Sequence, residues 1–312
     1  MASREIVKEP HLRELADGVY AWIGAYGNSN AGAVETPRGL VVYDSQQHVP
    51  LAHQFRAALK KVSDKPVEML VNSHFHLDHI AGNVVFGEEA PIYAHEKTMR
   101  QLEQFLGPKD GAGWVIRDLM TKIQLFYGTD IADLIPEGDP ALKWFRERFA
   151  PPEYDVMEII PPTHTFADRF QIHLAEEVAS FDYYGPGHCD GDLVFNIPGK
   201  KIAFLADLLF EGRFPWIGNA DLNGWIGTLE RILELDLDCV VPGHGVPVGL
   251  QGVSEFRGLL ISLRDRVADA LKGGATEDEA AMEVRLPNYA DMPRYNEWLG
   301  FNVRNAYRYL NR

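Results

Sequence analysis

The segment Asn72-Ser73-His74-Phe75-His76-Leu77-Asp78-His79 places three imidazoles and one carboxylate within six consecutive positions. Crowded imidazoles beside a carboxylate gain little from one another unless a cation holds them, because each costs free energy when buried without a partner. At the mouth of a strand, alternate side chains point the same way, so His74 and His76 can grip one ion together. Asp78 and His79 lie just past the strand, where the chain turns, and can face a second ion beside the first. The spacing predicts metal binding.

The missing ligands are expected at further strand ends. Gly187-His188 follows the apolar run Phe181 to Tyr184 and precedes the turn Asp190-Gly191-Asp192. Asp207 closes the apolar strand Ile202 to Leu205, and His244 sits in Pro242-Gly243-His244-Gly245 just after Val240 and Val241. Glycines beside a histidine let the backbone approach an ion closely, and they are costly inside a strand otherwise.

The elements that must position these groups come in two sets. Val19 to Ile23 and Leu40 to Tyr43 read as strands with Pro37-Arg38-Gly39 as a turn. Leu51, Phe55, Ala58, Leu59 and Val62 recur at helical spacing, and Val67 to Val71 is a buried strand running into the histidine string. The second set holds Phe170 to Tyr184, Leu193 to Ile197 and Ile202 to Leu205. A helix around Trp225, Leu229, Ile232 and Leu233 follows, then a strand at Cys239 to Val241. The tail is helical, with a stripe from Phe256 to Leu271, a capping box at Thr276 and Glu279, and an aromatic-rich helix from Tyr295 to Leu310. Residues 96–152 differ in character. They are rich in helix formers and carry Phe105, Trp114, Phe126, Tyr127, Trp144, Phe145 and Phe149.

Composition bounds the rest. With 312 residues, 46% apolar and 24% charged, the chain is an ordinary globular protein. The net charge of −15 repels phosphate backbones and anionic lipid, so neither nucleic acid nor a membrane is expected as a partner. Two cysteines form no disulfide framework, and the N-terminus has no apolar h-region; a cytoplasmic chain is expected.

The H-x-H-x-D-H string, a later G-H, an Asp closing a strand and a final G-H-G resemble the metallo-β-lactamase superfamily over about Gly18 to Val248. The resemblance implies an α/β fold, a four-layer αβ/βα sandwich with the site at one edge of two facing sheets. It implies one domain over 1–312, with 96–152 as a helical cap insertion and 251–312 as a helical C-terminal extension. Carried over by position, His74, His76 and His188 would hold a first ion. Asp78, His79 and His244 would hold a second, and Asp207 would bridge them. An Asp at position 207 is similar to the glyoxalase II, lactonase and phosphodiesterase branches, whereas antibiotic-hydrolysing members carry Cys or Ser there.

Two divalent ions about 3.5–4 Å apart can share a hydroxide whose pKa has fallen to about 7. The expected function is hydrolysis of an ester-like bond (lactone, thioester, β-lactam or phosphoester) in a small molecule, with Asp78 orienting the nucleophile and passing a proton. Zinc suits the donors, with iron and manganese also open. The competing reading is a mononuclear iron oxidoreductase of the persulfide dioxygenase type, which intact His79 and His244 argue against. An oligomer is compatible with the aromatic tail. Asn72, Asp190 and Asp192 are candidate partners for the imidazoles, and Tyr183 or Tyr184 a candidate oxyanion donor. Cys189 is expected to face away as packing, and Asn28-Ser29-Asn30 to be simple turn chemistry. His48, His53, His95, His164 and His173 read as surface or core residues. Phe214, Trp216 and Ile217 form either an apolar lip or plain packing.

Overall fold

The computed structural model describes residues 7–107, 113–117, 156–175, 177–218 and 220–312, with the single positions 138, 143, 146, 147 and 152. The first half folds as β1 (His11–Ala16), β2 (Val19–Ile23), β3 (Ala31–Glu35), β4 (Leu40–Tyr43), α1 (Val49–Val62), β5 (Val67–Asn72), α2 (Leu77–Ile80), α3 (Asn83–Gly87), β6 (Ile92–His95) and α4 (Glu96–Leu106). Then come β7 (Trp114–Arg117), β8 (Val156–Ile159), β9 (His164–Phe166), β10 (Arg169–Leu174), β11 (Glu177–Asp182), β12 (Val194–Ile197) and β13 (Ile202–Phe210). The chain ends with α5 (Leu222–Leu233), β14 (Cys239–His244), α6 (Leu250–Lys272), α7 (Glu277–Glu283) and α8 (Tyr295–Leu310).

A seven-stranded sheet in the order β1-β2-β3-β4-β5-β6-β9 faces a five-stranded sheet in the order β10-β11-β12-β13-β14. β4, β5, β6 and β9 run parallel, so their C-terminal ends share one edge. In the second sheet β13 and β14 are the parallel pair. Between the sheets Tyr43, Phe181, Phe195 and Phe204 form an aromatic centre, with Phe181 and Phe195 stacked at 4.4 Å. Phe55, Leu59 and Phe86 cover the outer face of the first sheet over Trp22, Val42 and Leu70. Helices α5, α6 and α8 cover the second. Apolar faces on both sides of each sheet require this layering, because a sheet with two apolar faces is stable only when both are covered. The four-layer αβ/βα sandwich and the helical C-terminal region are as the sequence implies.

Three local differences matter. β1, β3, β6 and β9 extend the first sheet beyond the three strands read there; Ala31–Glu35, for one, is short, small-residued and lacks a strong alternation. β13 does not stop at Leu205 but continues to Phe210 through a register shift at Ala206, whose φ is +44°. Trp114–Arg117 is a strand paired antiparallel with Val156–Ile159, so the segment expected as a helical cap contributes a β-strand as well, packed with Leu102 and Leu106 of α4. Most of 96–152 lies outside the described residues, Phe126, Tyr127, Trp144, Phe145 and Phe149 included. Among the described residues no helix is long and apolar enough to cross a membrane.

Candidate metal centre

β5 ends at Asn72 and delivers Ser73 to His76 in extended backbone before the chain turns into α2. Alternation sends Phe75 inward, fully buried and stacked on Phe105 of α4 at 5.2 Å, and leaves His74 and His76 together with ring centroids 4.8 Å apart. The α2 turn then brings Asp78 and His79 beside them. His188 arrives from the loop before β12, its Nε2 3.0 Å from His76 Nδ1. Asp207 and His244 come from the parallel pair β13 and β14.

The seven groups named from the sequence converge. Ligand atoms of His74, His76 and His188 lie within 4.8 Å of one another, as do those of Asp78, His79 and His244, and those of His74, His79 and Asp207. Asp207 faces both sides: Oδ2 lies 3.3 Å from His188 Nε2, while Oδ1 lies 3.1 Å from His79 Nε2 and 3.2 Å from His244 Nε2. Asp78 Oδ2 lies 3.4 Å from His244 Nε2 and 3.8 Å from His79 Nε2. The register shift at Ala206 aims this carboxylate off the regular pleat. Gly243 is what lets β14 close on it, because a Cβ at that position would stand 2.0 Å from Asp207 Oδ1.

The donors fit divalent cations. The Nε2 atoms of His74, His79 and His244 and Oδ1 of Asp207 are buried without hydrogen-bonded partners, so the approaches above are close in distance yet lack hydrogen-bond geometry. Buried polar atoms are rarely left so, and one or two cations among them satisfy all four.

Ring orientation is set from outside. Asp44, just past β4 and held at a φ of +63°, accepts from Ser73 N at 2.7 Å and from Ser73 Oγ at 2.7 Å. Its Oδ2 also lies 2.8 Å from His79 Nδ1. Because the Ser73 hydroxyl proton goes to Asp44, Ser73 Oγ can only accept from His74 Nδ1, 2.9 Å away. One buried carboxylate thereby makes Nδ1 the outward donor of both His74 and His79 and turns both Nε2 atoms inward. His244 Nδ1 lies 2.9 Å from the carbonyl of Gly27, which does the same for that ring. Sequence reasoning misses Asp44. Its one signal is an acidic residue directly after a buried strand whose parallel neighbour carries the histidine string.

The other candidates fall elsewhere. Asp192 accepts from Cys189 N at 2.8 Å and so fixes the loop carrying His188, not an imidazole. Asn72 pairs its amide with Asn83, and Asp190 pairs with Lys97 at 3.0 Å. Tyr183 OH accepts from the same lysine, and Tyr184 accepts from Arg231 through its carbonyl. Phe214, Trp216 and Ile217 are buried, and Trp216 stacks on Phe301 at 3.9 Å, so packing is their role. Cys189 does not face away: its Sγ lies 3.5 Å from His76 Nε2, the nitrogen turned from His188. Asn28-Ser29-Asn30 is more than a turn. Asn30 Nδ2 donates to the carbonyls of Pro242 and Gly245 at 2.8 Å each, and Ser29 Oγ donates to the Asp78 carbonyl. One short loop thus braces both ligand-bearing segments.

The electrostatics differ across the site. Burial, reinforced by neighbouring imidazoles, drives the pKa of His74 well below its ordinary value and that of His188 down to about 3. Burial also opposes charge on His79, but Asp207, Asp78 and Asp44 outweigh it and hold its pKa well above the ordinary value. Burial raises Asp207 and Asp78 too, yet nearby His79 and His244 keep both below the usual carboxylate range. Asp78 alone of the carboxylates facing the cluster is substantially open, with 35% of its side chain exposed.

The family described as the metallo-beta-lactamase superfamily matches residues 24–244. A linear primary-alkylsulfatase from Pseudomonas sp. (strain ATCC 19151) is 25% identical over 88% of this chain and 54% of its own length. The acyl-coenzyme A thioesterase MBLAC2 of Homo sapiens is 21% identical over 77% of each. The solved stereoselective inverting sec-alkylsulfatase Pisa1 from Pseudomonas sp. superposes over 96% of this chain and 50% of that one, with a TM-score of 0.67 and 18% identity. The chain thus spans about half the length of both alkylsulfatases.

Proposed function

The chain belongs to the metallo-beta-lactamase superfamily, and from that premise we propose that it is a metal-dependent hydrolase of an ester-like bond in a small molecule. One observation carries the reading: four buried, partnerless atoms, the Nε2 atoms of His74, His79 and His244 and Oδ1 of Asp207, come from three separate segments to one place. On this reading His74, His76 and His188 hold one divalent ion, Asp78, His79 and His244 another, and Asp207 touches both. Zinc suits imidazole mixed with carboxylate, and iron or manganese fit the same donors. Divalent ions held there supply acidified water and charge stabilisation for the oxyanion and leaving group.

The chain's own residues do the rest. Asp44 and the Gly27 carbonyl keep the imidazole lone pairs turned inward. Asp78, open to the solvent side, is the catalytic residue; its low proton affinity suits it to orient a water through an accepted hydrogen bond before it passes a proton. The cap role expected of residues 96–152 falls mostly outside the described residues; residues 24–244 and the helices of 251–312 are read as one domain. Sulfate esters and thioesters enter the substrate panel because named relatives act on them, beside lactones, β-lactams and phosphoesters.

The test combines elemental analysis with that panel, run before and after chelation. The expected result is about two divalent ions per chain and turnover that chelator abolishes and added zinc restores. Turnover that survives complete metal removal would sink the proposal.

A further inference from the structure

The connection between β13 and α5 carries Arg213, which no metal-binding pattern in the sequence singles out. Its Nη1 donates to the Gly27 carbonyl at 2.8 Å, the oxygen that also meets His244 Nδ1 at 2.9 Å. The side chain lies along Gly27, where a Cβ would stand 3.6 Å from both Arg213 Cδ and Nη1. Its guanidinium sits 5.2 Å from the Phe210 ring and 5.0 Å from the Trp298 ring. Phe210 is itself stacked on His244 at 5.2 Å, with ring planes 13° apart. Trp298 belongs to α8, in the C-terminal extension.

The loop that presents the Gly27 carbonyl is a single 3-10 turn, Ala25–Gly27, closed by Asn28 N donating to the Ala25 carbonyl at 2.9 Å; that bond leaves the Gly27 carbonyl itself to partners from elsewhere. Tyr26 at φ +52° and Gly27 at φ +77° are consecutive left-handed residues, and for a non-glycine that conformation persists only when its surroundings enforce it. Asn30 secures the far end of the loop by accepting from Gly24 N at 2.9 Å and donating to β14 and its following loop. Arg213 secures the carbonyl itself. A planar guanidinium between two aromatic faces keeps its fork in one plane, which an ammonium on the same stem does not.

We infer that Arg213 is a positioning residue for His244, and that through it the C-terminal helix α8 sets how tightly the Asp78–His79–His244 cluster holds a divalent cation. The inference rests on the two-ion reading above. Two effects of Arg213 oppose each other. Its positive charge disfavours a nearby cation, while its tether keeps the carbonyl where His244 Nδ1 needs it. The charge is spread over the guanidinium and partly open to water, whereas the tether is a direct 2.8 Å bond. The tether dominates.

Co²⁺ titrated into the chelator-stripped full chain, followed by visible absorption and chelator competition, reads the two affinities separately. For Arg213→Met the second Co²⁺ is expected to bind about tenfold more weakly, the usual scale for loss of a group that orients a metal ligand. The first Co²⁺ should keep its parental affinity. Arg213→Lys should fall between, and Trp298→Leu should weaken the same step while Trp298→Phe largely restores it. Parental affinities in Arg213→Met, or tighter second binding, overturn the inference. So does an equal loss at both steps, which marks a general loss of structure; Arg213→Lys decides the matter if Arg213→Met does not fold. A parent chain that takes up fewer than two Co²⁺ overturns the two-ion reading, and this inference with it.

Discussion

The two ligand clusters share Asp207 and otherwise differ in kind. His74, His76 and His188 form an imidazole trio with no carboxylate of its own, and burial keeps His74 and His188 neutral. Asp78, His79 and His244 mix acid and base, and three carboxylates around His79 hold a proton on it. The outer supports differ as well: His79 leans directly on Asp44, His74 leans on it through Ser73, and His188 is wedged by the edges of Trp225 and Phe210 with its Nδ1 unpartnered. Two of the trio, His74 and His188, are ready for a cation as they stand. The mixed cluster must give up a proton to take one, so its affinity rises with pH more steeply.

The largest expected effect breaks the comparison outright. Asp207→Ala removes the one group that both clusters face, so both should lose metal and ester hydrolysis should fall by about 10³-fold, the scale of losing a group essential to charge stabilisation. Metal analysis and turnover of an activated ester check it; an Asp207→Ala chain that keeps parental turnover removes Asp207 from the site.

Asp44→Asn sharpens the contrast. Asparagine keeps one accepting oxygen where the carboxylate has two and carries no charge, so it cannot hold Ser73 and His79 Nδ1 together as Asp44 does; metal affinity should fall by about 10–100-fold, with the mixed cluster losing more than the trio. Chelator competition resolves the two steps, and equal losses would show that Ser73 transmits as much as direct contact does.

The smallest effect is thermal. In the metal-stripped chain His188 titrates near 3, against an ordinary 6.5, so on acidification the unfolded chain takes up the proton first. That contribution is complete above about pH 6.5 and is lost as pH falls toward 3. His79 has the opposite sign: its contribution is complete below about 6.5 and is lost as pH rises through its raised folded value. Between pH 6.5 and 3 the loss at His188 and His74 runs against a gain at buried Asp192 and Asp44, whose carboxyls burial raises. The thermal midpoint should drop by on the order of 5 °C across that window if the two imidazoles outweigh the two carboxyls, and a flat or rising profile would show that they do not.

How much of this is legible in the sequence follows from what each group depends on. The string from His74 to His79 is contiguous and needs only the alternation of a strand and a turn. His188, Asp207 and His244 are legible because each stands beside a strand end with glycine or a turn nearby. Asp44 is not, because a lone acid after a strand reads as turn chemistry until β4 and β5 are known to be neighbours. The Gly27 carbonyl is a backbone atom and leaves no trace in residue types. Asp207 is legible as a residue but not in its aim, which the left-handed Ala206 inside β13 supplies. Cys189 misleads because alternation from His188 turns it away from that ring, while the loop folds its sulfur toward His76.

Gly243 carries a consequence for any effort to evolve this chain. Its φ lies outside the left-handed region; the obstacle to alanine is Asp207, whose Oδ1 would stand 2.0 Å and whose backbone N 2.7 Å from the methyl carbon, with the Ala206 carbonyl carbon at 2.6 Å. A saturation library at that codon therefore works as a ruler laid against Asp207. If only glycine survives selection for turnover while alanine still yields folded protein, tolerance at a silent position has measured the placement of the most consequential oxygen pair in the molecule.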